Sequence, residues 1–291
     1  MPPVRIVVDS TADIPPDVRA MHDIHVVPVL LHRNGETLRD DIDISRDEYY
    51  RWLAEHDTLP TTSAPPVGMF EQVFRELTRD GGAVLSLSVA AGLSATYGAA
   101  VQAARLVPEA RIVCVDSHSI AMPIAYLALA AARCLAQGAT LDEAVALVET
   151  LRDRTVAYVS LQTLRYLERG GRISRTRALL GTLLDVKPVL EVRDSQVLPV
   201  ERVRTWRRVP PRLLELAQAR GAYQELSVVY TTGRDEAETL ADACAAAGLL
   251  ERDRIRTVQI GAVLGTHMGP GALGITGLLA GGSDPTPSRR E

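Results

Sequence analysis

Val4–Val8 is a short β-branched apolar run that stops at the polar stretch Asp9-Ser10-Thr11-Ala12-Asp13, and helix signals begin at Pro15-Pro16. Strand, polar loop and helix in succession open an α/β unit. A second strand is expected at Ile24–Leu31, with a turn at Asn34-Gly35. Ser45 and Glu48 stand at capping-box spacing and predict a helix over Arg46–Glu55. An irregular loop, Leu59–Pro66, leads to a helix near Gly68–Arg79. The alternation continues with a strand at Ala83–Ser88, a helix at Leu93–Leu106 and a strand at Arg111–Val115 ending on Asp116-Ser117. Two helices follow, Ser119–Gln137 and Leu141–Arg152, divided by Gly138.

The texture changes after about Val156. A strand at Val156–Ser160 runs into a helix ending at Gly170-Gly171, with another helix near Ser174–Leu184. Val189–Val192 and Gln196–Val203, separated by Arg193-Asp194-Ser195, read as a hairpin. A helix over Arg207–Arg220, a strand at Leu226–Tyr230, a helix near Asp235–Ala247 and a strand at Ile255–Ile260 complete the series. The expectation is an α/β fold: a mostly parallel sheet sandwiched by helices over 1–155, and a smaller mixed-sheet α/β part over 156–282. Any ligand would lie between the two, and the polar, proline-bearing tail 283–291 reads as disordered.

Composition narrows the function classes. The chain has 291 residues, 46% hydrophobic and 23% charged, which is ordinary for a globular protein. A net charge of -4 offers no electrostatic footprint for nucleic acid. Aromatic residues make up only 4%, so any apolar pocket must be lined by Leu, Val, Ile and Ala. Cys114, Cys134 and Cys244 lack metal-ligand spacing and read as buried thiols in a reducing compartment. The runs Ile120–Ala132 and Gly261–Gly282 are too short or too broken to be membrane spans. A cytoplasmic location is expected, with no metal and no cofactor.

Chemistry is concentrated in loops. In open α/β sheets, ligands sit beyond the carboxyl ends of the strands. There the chain places hydroxyls: Ser10 and Thr11, Ser86 and Ser88 through Ser94, and Ser117, with Thr61-Thr62-Ser63 in a separate loop. His267 lies in a glycine-rich segment, Gly265 to Gly274, read as a loop between two apolar runs. In Tyr166–Ser174, Arg169 and Arg172 flank Gly170-Gly171, which either ends a helix or lets a ligand approach the backbone beside a guanidinium. Asp40, Asp41 and Asp43 lack a calcium-loop pattern and read as a solvated turn. Ser94, Asp116 and His267 occur in the chain order of an α/β-hydrolase triad, although Thr96 replaces the elbow's final glycine.

Six segments, in order, resemble the hallmark stretches of the DegV family: Asp9–Asp13, Pro60–Ser63, Gly92–Tyr97, Tyr166–Ser174, Lys187-Pro188 and Gly269–Gly274. The resemblance covers nearly the whole chain apart from the tail. It implies a non-catalytic protein that binds a long-chain fatty acid in a buried apolar tunnel. Such a protein presents the carboxylate to a separate ATP-dependent fatty acid kinase, and leaves room for transient contact with a membrane surface. Carried over by position, Thr62, Ser94 and His267 would hold the carboxylate. Ser63, Ser10 and Thr11 would be secondary head-group or loop residues, and Arg172 would serve phosphoryl transfer or kinase docking. The alternatives left open are a serine hydrolase and a carrier of a small polar metabolite, as in dihydroxyacetone-kinase-like proteins.

Overall fold

The computed structural model describes residues 3–56, 58–173 and 186–281. The helix expected near Ser174–Leu184 and the tail 283–291 lie outside the described residues. Among those described, the chain forms two main sheets and one small one.

The first sheet is fully parallel, with strands β1 (Val4–Asp9), β2 (Ile24–Val27), β6 (Ala83–Ser88) and β7 (Arg111–Asp116) in the order β2-β1-β6-β7. Its strands are apolar at successive positions because both faces are covered. Ile6, Val8, Leu85 and Leu87 face one apolar core, and Val7 and Val84 face another. Helices α3 (Val67–Leu77) and α4 (Thr96–Arg105) cover the second of these. Helices α5 (Met122–Ala136) and α6 (Leu141–Arg152) cover the first. No helix among the described residues is long and apolar enough to cross a membrane.

The second sheet is mixed. Strands β8 (Thr155–Ser160), β9 (Lys187–Arg193), β10 (Gln196–Val203), β11 (Tyr223–Tyr230), β12 (Ile255–Gln259) and β13 (Leu273–Leu279) run in the order β10-β9-β8-β13-β11-β12. Only β11 and β12 pair in parallel. The outer face packs Val156, Val228 and Ile275 under α8 (Val209–Gln218) and α9 (Arg234–Ala246). The inner face turns Val159, Leu190 and Val229 into the same core as the first sheet. One continuous apolar layer therefore joins the two halves, and burying it is the main force that clamps them together.

Three elements depart from the periodicity reading. The run Ile24–Leu31 is broken after Val27; β3 (Leu30–Arg33) instead pairs with β4 (Glu36–Arg39) and β5 (Thr61–Ser63) in a small antiparallel sheet. Pro28 interrupts the run and supplies the break. Strand β13 is hidden in sequence by its glycines, Gly274 and Gly277. They are required: a Cβ at Gly274 would lie 2.5 Å from the Tyr158 carbonyl, and one at Gly277 would lie 2.4 Å from the Tyr223 ring. Finally, Ala262–Met268 is a short helix, α10, so His267 sits in a helical last turn and not in a loop. The remaining helices are α1 (Pro16–Met21), α2 (Arg46–Glu55) and α7 (Arg165–Arg169).

Candidate functional site

In the first sheet the chain leaves β1 toward β2 on one side, and β6 lies on the other, so a crevice opens beyond the ends of β1 and β6. The Asp9 carboxylate spans it. Oδ2 accepts the Val89 amide at 2.7 Å, while Oδ1 accepts the Thr11 amide at 3.0 Å and the Thr11 hydroxyl at 2.5 Å. Burial pushes the Asp9 carboxyl upward, and these donors oppose the shift. Its role is architectural: it ties the two loops that frame the crevice.

Above the crevice lies a predominantly apolar cavity of about 140 Å³. Val159, Leu190, Val192 and Val197 from the second sheet, with Leu161 just past the end of β8, form one wall. Val29, Val89, Leu93, Ile120, Leu264 and Met268 contribute much of the rest. Polar side chains are few: Thr11, Thr62, Ser63, Ser94, Arg172 and His267.

Four of these converge. The Thr62 hydroxyl lies 2.9 Å from His267 Nε2. Arg172 Nε donates to the Leu93 carbonyl at 3.1 Å, beside Ser94, and Nη1 donates to the Gly170 carbonyl at 2.6 Å. Among the described residues no carboxylate pairs with Arg172. Burial, reinforced by the Arg172 charge, pulls His267 down to about 4, so the imidazole is neutral at physiological pH. His267 Nδ1 is buried with no partner among the described residues. A buried bare acceptor costs less than an orphaned N–H, so we assign the proton to Nε2, donating to Thr62. The Thr62 hydroxyl hydrogen is then free for a ligand. Ser94 is similar: its oxygen accepts the Thr96 amide at 3.2 Å and lies 2.8 Å from the Thr96 hydroxyl. Either hydroxyl can donate in that contact, and when Thr96 does so the Ser94 hydrogen is also available to a ligand.

The other expected residues are placed differently. Ser10 does not line the cavity; its buried hydroxyl donates to Asp40 at 2.8 Å and accepts the Val29 amide at 3.1 Å. Thr11 does line it, but with its hydroxyl committed to Asp9. Ser63 lies at the cavity with its hydroxyl 2.8 Å from His32. Asp40 is 2% exposed, which corrects the solvated-turn reading. The hydrolase triad does not assemble: Asp116 binds the Ala91 and His118 amides and the Ser195 hydroxyl, while His267 binds Thr62. Gly170, singled out in the sequence, abuts His267, and a second contributor is not evident there: the pair Tyr49 and Tyr50, which abut α10. The isolated aromatic pair in an aromatic-poor chain was the available signal for the second.

The hairpin β9–β10 closes over the cavity, and its tip rests on the Ser94 loop. The Ser195 amide donates to the His118 carbonyl at 3.1 Å. A Cβ at Gly92 would lie 2.3 Å from the Ser195 carbonyl oxygen. Gly92→Ala must therefore push backbone against backbone and should destabilise the protein by about 1–3 kcal/mol, as overpacking does. A thermal unfolding midpoint equal to that of the wild type would show that the tip is free to yield.

A family model of DegV, described as an uncharacterised protein family, matches residues 3–278. The chain belongs to the DegV family. It is 32% identical over 276 residues to protein DegV of Bacillus subtilis, covering 94% of this chain and 98% of that one. It is 37% identical over 282 residues to the DegV domain-containing protein SCO2569 of Streptomyces coelicolor, covering 94% and 97%. Among solved structures, a fatty-acid-binding DegV family protein of Thermus thermophilus superposes with a TM-score of 0.88 at 31% identity, covering 96% of this chain and 100% of that one. The Bacillus subtilis DegV structure, described as a fatty acid binding protein, gives 0.87 at 30% identity over the same shares. A stearic-acid-binding protein of Eubacterium ventriosum gives 0.87 at 26% identity, covering 95% and 98%. The two-sheet α/β architecture is thus that of known DegV family members. Among the described residues no cluster suited to a metal ion occurs.

Proposed function

We propose that this protein binds a long-chain fatty acid, with the tail in the apolar cavity and the carboxylate held by Thr62 and Ser94 beside a neutral His267. In this reading it acts in the cytoplasm as a non-catalytic carrier. It presents the carboxylate to a separate ATP-dependent fatty acid kinase, which converts it to an acyl phosphate, and it can touch a membrane surface transiently. The observation that carries the reading is the division of the cavity. Its walls are apolar over most of their extent, and the Thr62 and Ser94 hydroxyls line it together with Arg172, the one cation among the described lining residues.

Burying an alkyl chain of about sixteen carbons contributes on the order of 12 kcal/mol gross, at about 0.8 kcal/mol per methylene. Ordering costs of several kcal/mol leave tight binding. The tail therefore provides affinity and the polar cluster provides orientation. Two neutral hydroxyl donors stabilise a carboxylate without cancelling its charge, so one oxygen keeps its nucleophilicity toward ATP. A small polar metabolite would leave most of this wall unused.

Denaturing extraction of the purified protein followed by mass spectrometry tests the reading directly. About one straight or branched acyl chain per protein is expected. Thr62→Val should weaken palmitate binding by about tenfold or more, the loss of one hydrogen bond to a charged group. A purified protein that yields no acyl chain and takes up no added palmitate would overturn the proposal.

A further inference from the structure

The start of α10 is gripped by side chains that fatty-acid binding leaves unused. Asp13, which follows β1, accepts the Gly261 amide on Oδ1 at 2.8 Å. Asp40, which follows β4, accepts the Ala262 amide on Oδ1 at 3.2 Å and the Ser10 hydroxyl on Oδ2. Both acids are buried, at 1% and 2% exposure. Their carboxyls meet over Gly261: a Cβ there would lie 3.1 Å from Asp13 Oδ1 and 3.4 and 3.5 Å from the two Asp40 oxygens. From α2, Arg46 approaches Asp13 at 3.3 Å and Asp41 at 3.0 Å, and it also donates to the Gln259 carbonyl. Tyr50 donates to the Ile260 carbonyl at 2.9 Å, and the Tyr49 hydroxyl meets that of Thr266 at 2.9 Å. Three separate segments of the first half thus converge on a short helix whose last turn carries His267.

We infer that Asp13 and Asp40 are positioning residues for the head-group site: by fixing the start of α10 they set where His267 meets Thr62. The claim rests on the fatty-acid reading only for the identity of the ligand. The groups facing Asp13 are Arg46, Asp40, Asp41 and Tyr50, three acidic carboxyls in all against one cation. Burial raises Asp13 to about 8 and, with the help of Asp41, Asp40 to about 6; Arg46 opposes both. Asp13 Oδ2 has no partner among the described residues and is the natural seat of a proton. An acid whose folded value lies above its unfolded value binds protons more readily when folded, so its contribution favours the fold at low pH. That contribution declines as pH rises from about 4 toward 8. The Gly261 amide and Arg46 both favour the ionised form, so ionisation tightens the hold on α10 while the burial of the charge lowers global stability. His267, at about 4, titrates below this window.

The test reads the His267 imidazole nitrogen resonances in ligand-free protein, and palmitate affinity in parallel, from pH 5.5 to 9. Asp13→Ala and Asp40→Ala remove an acceptor and should shift the His267 resonances and weaken palmitate by about tenfold, the scale of a lost helix cap. Asp13→Asn keeps the Oδ1 acceptor, suits the left-handed backbone at this position (φ 54°) and cannot ionise. It should match the wild type near pH 6, where Asp13 is protonated, and bind palmitate several-fold more weakly than the wild type above pH 8, where only the wild type gains the ionised acceptor. Taking the ratio of the two proteins at each pH cancels the ionisation of the ligand itself. Unmoved His267 resonances in folded alanine variants overturn the inference. Should those variants not fold, parallel pH profiles for Asp13→Asn and the wild type do so. A protein that never binds palmitate would sink the fatty-acid reading, while the resonances would still decide the positioning role.

Discussion

Gly170→Ala should cost palmitate binding on the order of tenfold to a hundredfold, the value of the hydrogen bonds it disrupts at a charged head group. The backbone at Gly170 is right-handed helical (φ -70°, ψ -7°), so alanine meets no conformational penalty there. Taken alone, the change removes unfolded-state freedom and would stabilise the protein by about 0.4–1 kcal/mol. Space decides otherwise. The new Cβ would lie 2.1 Å from His267 Nδ1 and 2.7 Å from its Cε1. The imidazole is the movable partner, and swinging it away breaks the 2.9 Å contact with Thr62. The neighbouring glycine provides a control. Gly171 has φ 72° with no described residue near its missing Cβ, so Gly171→Ala strains the backbone without touching His267. It should lower thermal stability and leave affinity within about twofold, since αL strain of 1–2 kcal/mol falls on folding. Isothermal titration with palmitate and thermal unfolding of both variants separate the effects. Wild-type affinity in Gly170→Ala would refute the steric account.

The contrast between these glycines shows why parts of the site were legible and others were not. Gly170-Gly171 stands out in the sequence, but its two candidate roles, stopping a helix and admitting a close neighbour, divide between the two residues. Gly171 takes the positive φ that ends α7, and Gly170 makes room for a side chain nearly a hundred positions away. Local pattern reveals the first and not the second. The parallel sheet was readable because each strand is a short apolar run ending in polar residues. β13 and α10 were not, because their glycines serve tertiary close packing against Tyr158, Tyr223 and Tyr50 and so mimic a loop. Asp40 carries the same lesson for charge. Within Arg39–Asp43 it looks no different from its exposed neighbour Asp43, which Arg39 holds down to about 2. Only the arrival of Gly261 and Ala262 from the far end of the chain makes it a buried acceptor.

Arg172→Ala should retain palmitate within about threefold yet lower kinase-dependent acyl-phosphate formation by about a hundredfold or more, the scale set by arginines that stabilise phosphoryl transfer. The reasoning is electrostatic. In the proposed reading binding is dominated by the tail, whose apolar wall this residue barely supplements. In the transfer step a carboxylate oxygen forms a bond to the γ-phosphorus while the bond to the ADP oxygen breaks, so negative charge gathers outside the hydroxyl pair. Among the described residues Arg172 is the one cation lining the cavity, and His267, held near 4, cannot share the task. Its Nε and Nη1 are anchored on the Leu93 and Gly170 carbonyls, which orients the guanidinium plane and leaves the remaining donors for phosphate oxygens. Arg172→Lys keeps the charge without the fork and should recover only part of the rate. The comparison requires palmitate-loaded proteins, a bacterial fatty acid kinase and ATP, with acyl phosphate and bound palmitate measured in the same samples. An Arg172→Ala protein that cannot hold palmitate would place the guanidinium on the carboxylate itself. The division of labour between neutral hydroxyls that hold and a cation that assists transfer would then fail.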